Sequence, residues 1–124
     1  MAGVIVADTL QDGAGNSTAM DNAIYGSAKA WVLYNSVAQT VTSSYNVSSI
    51  TYNSTGNFTV NFTNALADAN YALCGSFEGA TGSNAIAPYA SGGAGNTPTL
   101  KTSSACRVEA QAINATTNSV IFYR

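Results

Sequence analysis

Hydrophobic and polar residues alternate most strictly over Asn46 to Thr63, NVSSITYNSTGNFTVNFT. On the second arm of this stretch Phe58, Val60 and Phe62 interleave with Asn57, Thr59, Asn61 and Thr63, the two-residue period of a strand with one face buried and one in water. A helix would scatter the same three side chains around its circumference. The first arm, Val47 to Tyr52, is built from β-favouring and small residues. Between the arms, Asn53-Ser54-Thr55-Gly56 is turn chemistry, with Gly56 free to take the positive φ of a tight, bulged hairpin. The stretch predicts one β-hairpin.

The same reading finds strands on either side. Ala28 to Tyr34 sets Trp31 and Leu33 on one face and Ala30, Val32 and Tyr34 on the other, as in a central strand or one covered by a partner chain. Ser36 to Tyr45 alternates more weakly. Asn64 to Asn70 is an Ala-rich connector, too short for a stable helix. Asn70 to Phe77 puts Tyr71, Leu73 and Phe77 on one face, with Gly75 marking a bulge or a close backbone approach. Pro88 restricts a short strand at Ile86 to Tyr89 to a sheet edge. Thr99 to Ser103 and Ala105 to Ile113 follow, then a turn over Asn114 to Asn118. Ser119 to Tyr123 closes the chain with both faces apolar, which calls for a central position. About eight short strands with regular turn signals predict an all-β fold, an antiparallel β-sandwich (jelly-roll-like) or barrel.

The N-terminal 25 residues read differently. Val4, Ile5 and Val6 form a short apolar peg, and the Gly-, Asp- and Asn-rich run after it reads as loop. The division expected is an attachment arm over 1–25 and a sandwich domain over 26–124. An ordinary N-terminal strand followed by a loop fits the same residues. MAGVIVADTLQDG has no positive n-region and too short an apolar core for a secretory signal, so synthesis in the cytosol is expected.

Composition narrows the chemistry. Of 124 residues 8% are charged, against about a quarter in a typical domain, so the surface is wetted by hydroxyls and amides. Extended β-structures and subunits of large assemblies share this trait. Four basic residues, Lys29, Lys101, Arg107 and Arg124, are spread through a chain of net charge −2, which argues against a nucleic-acid partner. No apolar run is long enough to span a bilayer. Cys74 and Cys106 sit in apolar segments and read as buried free thiols, with a disulfide as the alternative if their strands are neighbours. Two cysteines and no histidine do not make a closed zinc site, and no cofactor is expected.

The same absence of histidine removes the usual general base. Of the scattered carboxylates, Asp68 with Glu78 across one hairpin is the best available catalytic pair, and a glycosidase needs its two carboxyls about 5–9.5 Å apart. The glycine runs at 13–15, 79–82 and 92–95 lack the Lys-Ser/Thr tail of a phosphate loop. Asn16, Asn46, Asn53, Asn57, Asn61 and Asn114 head Asn-X-Ser/Thr triplets that follow from composition. Tyr89, between Pro88 and a glycine run, is either an exposed contact residue or a cover for the sheet.

GSAKAWVLYN at Gly26 to Asn35, with SYNVSSITYNSTGNFTVNFTNALADANYAL at Ser44 to Leu73, resembles a small β-domain at the C-terminal ends of many tailed-bacteriophage fibre and virion-surface proteins. The closing SVIFYR is similar to that family's apolar last strand with its basic end. The likeness runs from about Ala19 onward and is loose over Glu78 to Ser104. It implies a non-enzymatic virion structural protein, a homotrimer on the virion surface that is bound to capsid, neck or tail proteins. Its receptor-facing loop, carrying Glu78, Asn84, Tyr89 and Asn96, would meet a host-surface glycan or protein. In the family a long shaft commonly precedes the domain, where about 25 residues stand here, so direct seating on the particle is expected. The alternatives are a capsid decoration protein, a cement or head spike bracing the shell, and a small polysaccharide-degrading enzyme.

Overall fold

The predicted hairpin forms. Strand β5 (Val47–Ser54) pairs antiparallel with β6 (Asn57–Phe62), Ile50 opposite Val60 and Tyr52 opposite Phe58. Gly56 in the turn has φ of +67°, a conformation that a Cβ would strain. Phe58, Val60 and Phe62 are buried, as their alternation requires. The structure is a computed structural model that describes residues 3, 6–78, 87–88, 101–110 and 114–124.

The described residues form one helix and ten strands: β1 (Thr9–Gln11), β2 (Ser17–Ala19), α1 (Met20–Gly26), β3 (Ala28–Asn35), β4 (Thr40–Tyr45), β5, β6, β7 (Ala72–Glu78), β8 (Ala87–Pro88), β9 (Ala105–Glu109) and β10 (Thr117–Tyr123). Two four-stranded sheets, ordered β4-β3-β10-β7 and β5-β6-β9-β8, are antiparallel throughout. They pack face to face, so of the two architectures expected it is the sandwich that forms. β10 is central, flanked by β3 and β7, and β8 with Pro88 is an edge. Both positions follow from the sequence. Gly75 pairs with Val120 in unbroken register, and the bulges fall elsewhere, at Leu33/Tyr34, Val47/Ser49, Tyr52/Ser54 and Phe122/Tyr123.

The core is one cluster between the sheets. Ala30, Val32, Tyr34, Phe77, Val120 and Phe122 enter from the first sheet and Phe58, Val60, Phe62, Cys106 and Val108 from the second. Tyr34 lies 4.9 Å from Phe58, ring centre to ring centre. At the other end Phe62, Tyr71 and Phe122 form a triangle of edge-on contacts at 5.0–5.9 Å, the arrangement that aromatic quadrupoles favour.

One residue turns the chain between sheets. β4 ends at Tyr45 in the first sheet and β5 starts at Val47 in the second. The corner, Asn46, has φ of +54°, which asparagine tolerates better than most. Its amide donates to the carbonyls of Lys29 (3.0 Å) and Asn64 (3.1 Å), and its Oδ1 accepts from Asn64 N (2.8 Å).

The run read as loop after the apolar peg is instead the β1-β2 hairpin followed by the seven-residue α1. Asp12 closes the hairpin: its carboxylate accepts from the backbone of Ala14 and Asn16 and from the Asn16 amide. Every residue of both strands is exposed, so no buried face existed for the periodicity to reveal.

Candidate binding surface

The sandwich has two ends. At one, which we call the arm end, α1 leads through Ser27 into β3, and Ala72 and Ala28 flank Tyr123. At the other, the tip end, lie the turn after Asn35, the Thr55-Gly56 turn, and Glu78 opposite Thr117. Eight residues of β3 separate them, roughly 25 Å at strand rise.

The tip is held by polar side chains. Ser36 is buried; its hydroxyl donates to Ala115 O (3.1 Å) and accepts from Ala115 N (2.9 Å). The Asn118 amide, also buried, donates to Tyr34 O (2.9 Å) and Ser36 Oγ (3.1 Å). Asn114 Oδ1 accepts from Gly56 N (3.0 Å), and its amide donates to the Tyr52 hydroxyl (3.3 Å). Arg107 Nε donates to Asn57 Oδ1 (2.8 Å). Burial, with Tyr52 nearby, pushes the Tyr34 phenol up. These bonds lock the turn after Asn35, the hairpin tip and the segment entering β10 to one another. On this base Val37 stands 60% exposed, its backbone N held by Asn35 Oδ1 (3.0 Å). Nothing in the sequence marks Val37, Thr55 or Thr116 as contact residues, and the turn after Asn35 carries no glycine or proline.

Of the residues expected to face a receptor, Glu78 is exposed at the end of β7; Asn84, Tyr89 and Asn96 lie outside the described residues, as do Val4 and Ile5 of the arm. Val6 is described and 93% exposed. Asp68 and Glu78 do not come together. Asp68 is at the arm end, where Arg124 Nε and Nη2 donate to its two oxygens at 2.9 and 2.6 Å, and Glu78 is at the tip, the length of β7 away. Arg124 and the Asn70 backbone N–H hold the Asp68 carboxyl below its ordinary range, the reverse of what a general acid needs.

Cys74 and Cys106 are both free, which corrects the disulfide alternative. Cys74 is on β7 and exposed; Cys106 is on β9 in the opposite sheet and buried. Only Cys106 meets the expectation of a buried thiol. Burial raises its pKa, partly offset by Tyr71 and Lys101. At the arm end Lys29, Asn46, Leu66 and Arg124 line an open cleft of about 280 Å³, but Arg124 is committed to Asp68 and Lys29 donates to the Ile24 carbonyl and to Ser27 Oγ.

Among the described residues no group of three or more His, Cys, Asp or Glu is placed to hold a metal ion, and no helix is long and apolar enough to cross a membrane. The architecture defines the class: an all-β antiparallel sandwich carrying a short N-terminal arm. No family model matches the chain, and no curated protein or solved structure matches it.

Proposed function

We propose that the chain is a non-enzymatic structural protein of a bacteriophage virion, a surface-exposed knob assembled as a homotrimer. Residues 1–25 join it to capsid, neck or tail proteins, and the tip end meets a host-surface glycan or protein. The observation that carries this reading is the polarity of the sandwich. The arm enters at one end, and Glu78, Val37 and Thr55 crown the other on a base of mutually bonded side chains. A receptor-binding surface needs that combination of rigid support and outward-facing tips. The separation of Asp68 from Glu78 supports the non-enzymatic part.

The test removes residues 2–20 from the protein as it assembles on particles. The truncated chain should keep its β-sheet circular dichroism and be lost from purified virions; retained incorporation overturns the arm's role. On full-length protein, Val37→Asp with Glu78→Lys should abolish adsorption to host cells without changing incorporation, and undiminished adsorption overturns the tip as the recognition surface. Cleavage of a surface polysaccharide that disappears in Asp68→Asn with Glu78→Gln overturns the non-enzymatic reading.

A further inference from the structure

We propose, building on the homotrimer reading, that the outward face of the sheet β4-β3-β10-β7, centred on Trp31 and Ile121, is covered by a neighbouring copy of this same chain. Residues opposite one another in an antiparallel ladder share a face. The register puts Tyr45, Trp31, Ile121 and Cys74 in one row across all four strands, and Ser43, Leu33, Ser119 and Ser76 in the next. Their strand neighbours Val32 and Val120 are buried in the core, so both rows point away from it. Trp31, Leu33 and Ile121 border a shallow hollow of about 220 Å³, and Tyr45 beside them is 57% exposed.

The chemistry of the face selects its occupant. Neither row carries a charge; Glu78 lies at one margin, and Lys29 and Arg124 lie at the other. Such a face gives nothing to a charged partner, and it does not repel its own image. β4, one of the sheet's two edge strands, is exposed at all six residues and has neither Lys nor Pro, the devices that usually keep a free edge from pairing.

Size argues the same way. Four strands of six to eight residues present roughly 20 by 23 Å of plane, about 450 Å². A standard interface takes ~800 Å² from each partner. The shortfall matches what the arm leaves uncovered. Leu10, Ile24 and Tyr25 are 46%, 49% and 65% exposed, Val6 almost fully, together on the order of 400 Å² of side chain. A lone two-stranded hairpin and a seven-residue helix are not stable by themselves. α1 runs through Ser27 straight into β3, the strand that carries Trp31 and Leu33, so the arm is tethered at the margin of the same sheet.

Cys74, in the Trp31 row, supplies a native reporter. We would measure mass by sedimentation and thiol reactivity with Ellman's reagent on the full-length chain and on two variants, Leu33→Lys and Tyr45→Glu. The second sits on the exposed edge strand, where the monomer's fold does not depend on it. The wild type should sediment as a trimer in which Cys74 reacts at least about 10-fold more slowly than in either variant. The variants should keep the circular dichroism of the wild type, with an apparent dissociation constant raised at least about 100-fold by the unpaired buried charge. A wild-type trimer with fast Cys74, matched by trimeric variants, overturns the face and leaves the homotrimer standing. A wild-type monomer with fast Cys74 overturns both, and an oligomer of another size that shields Cys74 upholds the face while overturning the number three.

Discussion

Two asparagines carry more of this structure than their surroundings suggest. Asn46 combines a left-handed backbone with three hydrogen bonds at the only residue between β4 and β5. Replacement by Ala adds strain at positive φ and leaves carbonyls unpaired, and should cost about 2–4 kcal/mol in urea unfolding. Asn46→Gly relieves the strain alone and should recover about 1 kcal/mol of that loss. Asn118 is fully buried, with its amide on three oxygens and its Oδ1 without a hydrogen-bond partner among the described residues. Asn118→Asp turns the amide donor into a carboxylate facing carbonyl oxygens. The variant should lose at least about 3 kcal/mol at pH 7, with part of the loss recovered as pH falls and the buried carboxyl takes up a proton. A loss independent of pH would mean that geometry rather than charge is at fault.

At the scale of elements, legibility followed burial. The strands β3, β6, β9 and β10 each bury alternate residues, and alternation is what a sequence displays. Ser119 to Tyr123 reads as central because both its faces are apolar, and the same property leaves Ile121 on the outward face. β1, β2 and β4 are exposed at every residue, so no pattern distinguishes β1 and β2 from loop and β4 shows only the weak alternation of Ser36 to Tyr45. Their ladders rest on Asp12 and on contact with β3, which are three-dimensional facts. The tip network was illegible for a similar reason: Ser36 meets Ala115 and Asn118 across 79 and 82 residues of sequence, Asn114 meets Gly56 and Tyr52 across 58 and 62, and nothing local to any of them marks the meeting. The elements should also differ in how they open. In a monomeric variant the β1-β2 amides should exchange with solvent almost unprotected, while those of Val120 and Phe122 exchange only on global unfolding. Strong protection of β1-β2 in the monomer would show that the arm needs no cover.

Across the whole molecule the scarcity of charge gives a simple pH profile. With 8% of residues charged, self-repulsion contributes little, and individual groups set the limits. On the acid side, the Asp68 carboxyl is lowered by Arg124 and the Asp12 carboxyl by Asn16. A carboxyl that ionises more readily folded than unfolded adds stability above its unfolded pKa, and loses it as pH falls through the folded value. Stability should therefore decline below the ordinary carboxylate range, and Asp12→Asn with Asp68→Asn should flatten that limb. On the alkaline side, the Cys106 thiol and the Tyr34 and Tyr71 phenols are raised chiefly by burial. The unfolded chain gives up these protons first, so stability falls as pH rises above the unfolded values, by about 1.4 kcal/mol per pH unit for each group that has titrated only in the unfolded state. The thiol comes first, from an ordinary value of 9.0 against 10.0 for the phenols. Cys106→Ala should move the onset of the alkaline limb up by about one pH unit, to where tyrosine begins to ionise. Urea midpoints between pH 3 and pH 11 test both limbs. An alkaline limb unmoved by Cys106→Ala would mean that the buried thiol does not set the onset of alkaline instability.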